Sequence, residues 1–251
     1  NPTINFQIRD IGGIPIIKIN KIDTLKKIVS EIILISKKDW DSNERSWNFK
    51  IFPFFTKDCF SKELKICFRN YKNQTNNLIQ EMHKLEKQNN QILLNAYGLE
   101  NKINPDISLN EITLTCNPSY RYGKKVLTNA KENKFLRDSI KEFISYSVGC
   151  MFGRYSIEKE GLILANKGEN LKDFLNKIPN PIFLPDKDNI IPILELDWFE
   201  DDITARFKKF LKITFSDETF EENLRFIETS IGKDIRKYFL NDFYKDHVQT
   251  Y

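Results

Sequence analysis

The stretch SKELKICFRNYKNQTNNLIQEMHKLEKQNNQILLNAYG, residues 61–98, decides how this chain folds. Steps of four and three connect Leu64, Phe68, Tyr71, Thr75, Leu78, Met82, Leu85, Asn89, Ile92 and Ala96 without a skip. That spacing describes a helix with one apolar seam, and Asn89 is the kind of polar seam residue that fixes register in a coiled coil. Gly98 follows directly and supplies the left-handed residue that closes such a helix. About 36 residues at a rise of 1.5 Å give a rod of roughly 50 Å, more than a compact domain of this size needs. A second helix is predicted over 24–38, with Leu25, Ile28, Val29, Ile32 and Ile35 on one face and Asp23 as its cap. It is a suitable antiparallel partner for part of the rod, and another chain or domain is expected to cover the rest.

Outward from this pair the pattern loosens. Residues 1–20 read as short strands and turns, with Gly12-Gly13 as a turn and Pro15 discouraging a helix. The aromatic run DWDSNERSWNFKIFPFF follows the first helix, and Trp40 and Trp47 are expected to pin it to the helices. Beyond Gly98, residues 111–115 (EITLT) are a short strand candidate and 129–152 a helix. Gly149 and Gly153, four apart at the end of that helix, would let another backbone approach closely. A stretch with Pro179, Pro181, Pro185 and Pro192 precedes three helices expected at 201–213, 217–230 and 233–248, with Ser216 and Gly232 as punctuation. The expected fold class is mainly α with small β elements, a long heptad-patterned spacer helix being followed by a helical domain. The expected divisions are 1–20, 21–97 and 98–251.

Composition narrows the function classes. The 251 residues are 40% hydrophobic and 29% charged, and 20 Phe, 9 Tyr and 3 Trp are too many for a disordered polymer. No apolar run reaches the roughly 18–20 residues of a membrane span. The first residue is Asn1 and no charged-then-apolar leader follows, so the chain reads as a stretch that starts inside a longer protein. Cys59, Cys67, Cys116 and Cys150 are scattered, with no CxxC pair and two histidines in all, which fits reduced buried thiols and not a zinc site.

Net charge is +4, but its distribution is uneven. Arg121, Lys124, Lys125, Lys131, Lys134, Arg137 and Lys141 face only Glu132 and Asp138 in their stretch, whereas acids dominate later and end in Glu195, Asp197, Glu200, Asp201 and Asp202. In RYGKK, Arg121, Tyr122, Lys124 and Lys125 interleave an aromatic ring with bases beside a glycine, a pattern that pairs with phosphates and packs on sugar or base. The competing reading is a surface turn anchored by its aromatics. Arg154 and Tyr155 beside Gly153 form a weaker candidate of the same kind. The carboxylates at 195–202 could bind Mg²⁺, but Asp201 and Asp202 read as the acidic first turn of a helix, which the helix dipole favours without a metal. His83 and His247 lack a nucleophile or acid partner nearby in sequence. No catalytic, cofactor or metal residue is assigned.

Several segments, taken together, resemble one family: NPTINFQIRDIGGIPI at 1–16, SKKDWDSNERSWNFK at 36–50, YGLENKINPDISLNEITLTCNPSYRYGK at 97–124 and KEFISYSVGCMFGRYS at 141–156. GLILANKGENL at 161–171, DNIIPILELDWFEDDI at 188–203 and FEENLRFIETSIGKDIRKYFLNDFYKDHVQTY at 220–251 continue it. The family is the adenine-specific DNA methyltransferase of the bacteriophage exclusion (BREX) system, also called the phage-growth-limitation methyltransferase. The resemblance implies a large cytoplasmic bacterial parent that uses S-adenosylmethionine to methylate adenine N6 in double-stranded DNA and takes part in phage defence. It also implies that this stretch follows the catalytic domain. The opening is similar to the closing segment of target-recognition units in restriction–modification proteins, except that Arg9 stands where the pattern has glycine.

Asn117-Pro118-Ser119-Tyr120 is similar to the Asn-Pro-Pro-Tyr motif with which such enzymes hold a flipped base. Ser119 replaces the second proline and no glycine-rich turn follows a strand, so a structural turn is expected. The resemblance thus implies a DNA-recognition and spacer portion of the methyltransferase; charge placement, and not the resemblance, puts the expected DNA contacts at Arg121, Tyr122, Lys124, Lys125, Lys131, Lys134, Arg137 and Arg154. The alternative is a protein-interaction module whose heptad seam and acidic, proline-rich stretch dock other exclusion-system components or a second copy, with no DNA contact of its own; other BREX components and phage anti-defence proteins are the further partners considered.

Overall fold

The computed structural model describes residues 12–13, 15–196 and 198–250. The strands expected at the start of the chain lie largely outside these residues, and 15–19 form no regular element. The chain builds helices α1 (Ile22–Asp41), α2 (Leu64–Tyr97), α3 (Pro118–Arg121), α4 (Thr128–Met151), α5 (Leu171–Lys177), α6 (Ile203–Phe215) and α7 (Phe220–Ile231). It finishes in one helical run, α8 (Ile235–Tyr238), a π-helical stretch Phe239–Phe243 and α9 (Tyr244–Thr250).

α2 forms where the periodicity predicts it, and Gly98 ends it at φ 64°. Its apolar face is divided between two cores. The first turns give Leu64, Cys67, Phe68 and Tyr71 to the main core, whose centre is a set of packed rings from Phe54, Phe143, Phe207 and Phe210. The remainder packs Ile79, Met82 and Leu85 against Ile28 and Ile35 of α1 and against Ile112, Leu114 and Cys116. Cys67 and Ile79 are buried although they stand one step off the seam, so the buried stripe drifts around α2 as in a straight 3.6-residue helix. Partners inside this chain continue past Leu85: Ile92 packs against the second core, Asn90 Nδ2 donates to Pro105 O at 3.4 Å and the Tyr97 hydroxyl donates to Pro15 O at 2.8 Å.

A long helix starting inside a core must satisfy its first amides. Glu63, the N-cap of α2, makes no side-chain cap bond. Asn223 of α7 replaces it from 159 residues away: its Oδ1 accepts from the Leu64 amide at 2.7 Å and its Nδ2 donates to the Lys62 carbonyl at 2.9 Å.

The structure corrects several expectations. Residues 111–115 are not a strand, and no strand occurs among the described residues. The alternation is real, since Ile112 and Leu114 are fully buried while Glu111 and Thr113 are exposed, but the segment lies on helices and has no ladder partner. Its amides go elsewhere. Asp39, only 5% exposed, accepts from the Thr115 amide at 2.6 Å, the Thr115 hydroxyl at 2.9 Å and the Cys116 amide at 3.0 Å.

Asp23 does not cap α1. Lys21 is the N-cap, and Asp23 lies in the first turn, 3.9 Å from Lys26. Trp47 pins nothing, being fully exposed; buried Phe49, Phe52 and Phe54 hold that segment instead. The close approach at Gly149 is by the ring of Tyr155, which a Cβ would meet at 2.6 Å, and not by a backbone. The four thiols are free and buried, and burial pushes Cys67 up to about 11.

The 165–177 loop and helix carry a local acid test. Glu169 accepts from Lys177 Nζ at 2.6 Å and from the amides of Ala165 and Asn166 at 2.8 and 2.9 Å. These bonds, Lys177 first, hold its carboxyl down at about 2 against an ordinary 4.5. A depressed carboxylate contributes in full above its unfolded value and loses that contribution as pH falls toward the folded one. An NMR titration of the Glu169 carboxyl is therefore expected to show a midpoint near 2, and Lys177→Met to move it up toward 4.5. A wild-type midpoint at the ordinary value would refute the cluster.

Candidate nucleic-acid interface

The basic block of the sequence divides in three. Asn117 begins it by capping α3: it is 2% exposed, its Oδ1 accepts from Ser119 N at 3.0 Å, and its Nδ2 donates to Leu109 O at 2.7 Å and Ile112 O at 2.9 Å. Both ends of the amide are thus engaged within the chain, as a structural turn requires and as a base-holding asparagine would not be. Among the described residues no strand precedes this segment.

α3 then delivers Arg121 and Tyr122 onto α4. Arg121 Nη2 donates to Glu142 Oε1 at 2.8 Å and lies 3.5 Å from Asp138 Oδ2. The Tyr122 hydroxyl donates to Asp138 Oδ2 at 2.8 Å, and burial, followed by the neighbouring carboxylates, pushes the phenol well up. Lys134 Nζ and the Arg121 guanidinium lie 5.1 and 5.7 Å from the centre of the Tyr122 ring. Burial raises Glu142 above the ordinary carboxylate range, and Arg121 opposes that shift. Arg121, Tyr122 and Lys134 thus form one tied cluster with two acids.

Lys124, Lys125 and Arg137 stand outside it. All three are exposed, and among the described residues none has an ion-pair partner. Gly123, at φ 73°, turns the chain so that the two lysines project from the loop before α4. Lys131 is half-buried on the first turn of α4. Arg154 is not brought to this group. It follows the far end of α4, some 25 Å along the axis from Lys134 at 1.5 Å per residue. There its Nε donates to the Tyr155 hydroxyl at 3.0 Å.

A cleft of about 630 Å³ opens beside the cluster, between the 42–45 turn, α4 and the last helix. Its walls carry Arg45, Arg121, Lys134 and Lys141 against Glu44, Asp138, Glu142 and Asp246. Asp246 accepts from the Tyr238 hydroxyl at 3.0 Å and from Lys141 at 2.8 Å, which latches α9 to α4. Cations and carboxylates balance in the cleft, so the unbalanced positive charge lies on its outer edge. Arg45 and the last helix were missed in sequence because both reach the cleft only through folding. The expected acidic first turn is corrected: Asp202 is the N-cap of α6, its side chain accepting from Ala205 N, and no acid lies in the first turn of that helix.

No family model matches this chain. It is 33% identical over 264 residues, across 100% of its length, to the adenine-specific methyltransferase BrxX of Escherichia coli O9:H4 (strain HS), covering 21% of that protein. It is 29% identical over 264 residues, again across its full length, to the adenine-specific methyltransferase PglX of Lacticaseibacillus casei (strain Zhang), covering 20%. The chain spans about a fifth of the length of these relatives. The resemblance read from the sequence is therefore matched from end to end.

Proposed function

We propose that this chain, similar along its whole length to one segment of the adenine-specific methyltransferases, is a DNA-contacting part of such an enzyme in a phage-exclusion system. The parent would transfer the methyl group from S-adenosylmethionine to adenine in double-stranded DNA, with the chemistry carried outside this stretch. The observation that carries the reading is the basic edge. Arg121 is neutralised by Asp138 and Glu142, Tyr122 is bonded to Asp138 and Lys134 lies over the Tyr122 ring, while Lys124, Lys125 and Arg137 remain open to phosphate, with Lys131 next to them. Contacts of this kind position a duplex without reading bases. Arg154, at the other end of α4, would meet a separate part of the backbone.

Fluorescence anisotropy with labelled duplex DNA tests this. Log affinity is expected to fall linearly with log salt, with a slope of about −0.9 per phosphate contact. Lys124→Glu with Lys125→Glu is expected to lower affinity and to remove about two contacts from that slope. Arg121 is the wrong residue for the test, because reversing its charge would also expel Asp138 and Glu142. Failure of the folded chain to bind duplex DNA at low salt would sink the reading.

A further inference from the structure

The segment between α5 and α6 exposes apolar side chains that its own backbone has no freedom to hide. Ile190 is 69% exposed, Ile193 45%, Leu196 58%, Trp198 71% and Phe199 59%. An exposed apolar residue standing alone needs no explanation, but five within ten residues do. The backbone is tied down on the inner side. Asp186 Oδ1 accepts from the amides of Asp188 and Ile190 at 3.1 and 3.2 Å. Ile203 N donates to Pro192 O at 2.9 Å, and Arg236 Nη1 donates to Leu194 O at 2.8 Å and Leu196 O at 3.4 Å. These bonds hold the backbone while the side chains face water, an arrangement that lowers the ordering cost of binding.

Charge selects the occupant. From 188 to 201 the sequence carries Asp188, Glu195, Asp197, Glu200 and Asp201, and no lysine or arginine. Such a strip repels phosphate, so it fits neither DNA nor an anionic lipid surface. We propose that residues 190–199 are a docking strip for a basic, amphipathic segment of a partner protein, whose apolar side chains cover Trp198 and Phe199 while its lysines or arginines meet the flanking carboxylates. Aromatic anchors within a charged rim are the usual centre of such interfaces. The inference is independent of DNA binding, which uses the opposite charge on a different element.

The probe is a fluorescein-labelled amphipathic peptide of about 18 leucine and lysine residues, long enough to become helical on binding. Its counterpart with glutamate for lysine is the control. In the intact chain carrying W40F and W47F, Trp198 is the remaining tryptophan, and its emission is expected to shift to the blue as the lysine peptide binds. The glutamate peptide is expected to bind at least about tenfold more weakly, and Trp198→Ser with Phe199→Ser to cost the lysine peptide a similar factor. Because both rings are exposed, the thermal melt of that variant should be unchanged. No binding of the lysine peptide, equal binding of both peptides, or full binding to the serine variant would each overturn the proposal. So would light scattering that shows self-association abolished by the serine variant, since the occupant would then be a second copy.

Discussion

Replacement of Asp202 by alanine is expected to cost about 4 kcal/mol, roughly 10 °C in melting temperature for a chain of this size. The side chain is fully buried and does two things at once. Its Oδ1 accepts from Ala205 N at 2.6 Å and caps α6; its Oδ2 pairs with Arg236 Nη1. Loss of the cap accounts for about 1 kcal/mol. The larger part comes from removing the fully buried carboxylate that pairs with a guanidinium only 14% exposed. A second substitution separates the two. With Arg236→Met added, the buried charge is gone, and the double variant should recover about half of the loss. Additive effects of the two substitutions would show that the pair contributes nothing beyond the cap. Arg236 also holds the Leu194 and Leu196 carbonyls, so amide exchange in 191–196 should quicken in Asp202→Ala before the chain as a whole melts.

Asp39→Ala is expected to be nearly as damaging, at about 3–4 kcal/mol, through a different mechanism. Among the described residues no cation pairs with Asp39; it is held by three donors from Thr115 and Cys116, on both of its oxygens. Removing it leaves two amides facing the second core with no acceptor, and 111–117 loses its anchor to α1. Asparagine is no remedy, since its amino group would point a donor at a donor wherever it is placed. Asp39→Asn should therefore melt close to Asp39→Ala, with exchange protection lost first at Thr115 and Cys116. Near wild-type stability in Asp39→Asn would overturn this account. Because Asn117 bonds to Leu109 and Ile112 in the same segment, loosening it should also release α3 and carry Arg121 away from Glu142.

Part of the candidate interface was legible in the sequence. RYGKK and the lysines of α4 are neighbours in the chain, and a short helix followed by a left-handed glycine keeps them neighbours in space. The capping role of Asn117 was legible too, because it needs nothing beyond the next few residues. What was not legible is the inequality within the block. Arg121 and Lys125 look equivalent on paper, yet one is spent on Asp138 and Glu142 and the other is open. Lys141, at the end of the same block, is committed to Asp246, 105 positions further along the chain. Which cation stays open depends on which acids arrive opposite it.

The helices were set by local information. The apolar stripes of α1, α2 and α4, Gly98 and Gly232 in left-handed conformations, and Ser216 at the end of α6 all follow from interactions within about a turn, which is why their positions could be read directly. The long match to the methyltransferases was likewise carried by residue order alone. Only the tertiary structure decided how the leftover polar groups are satisfied: Asn223 at the start of α2, Asp39 under 115–116, Arg236 on Asp202. It also decided that the alternating apolar residues of 111–115 lie on two helices and form no ladder. A lone amide accepts any well-placed oxygen, so its partner is chosen by packing, and packing is not written in the spacing of neighbouring residues.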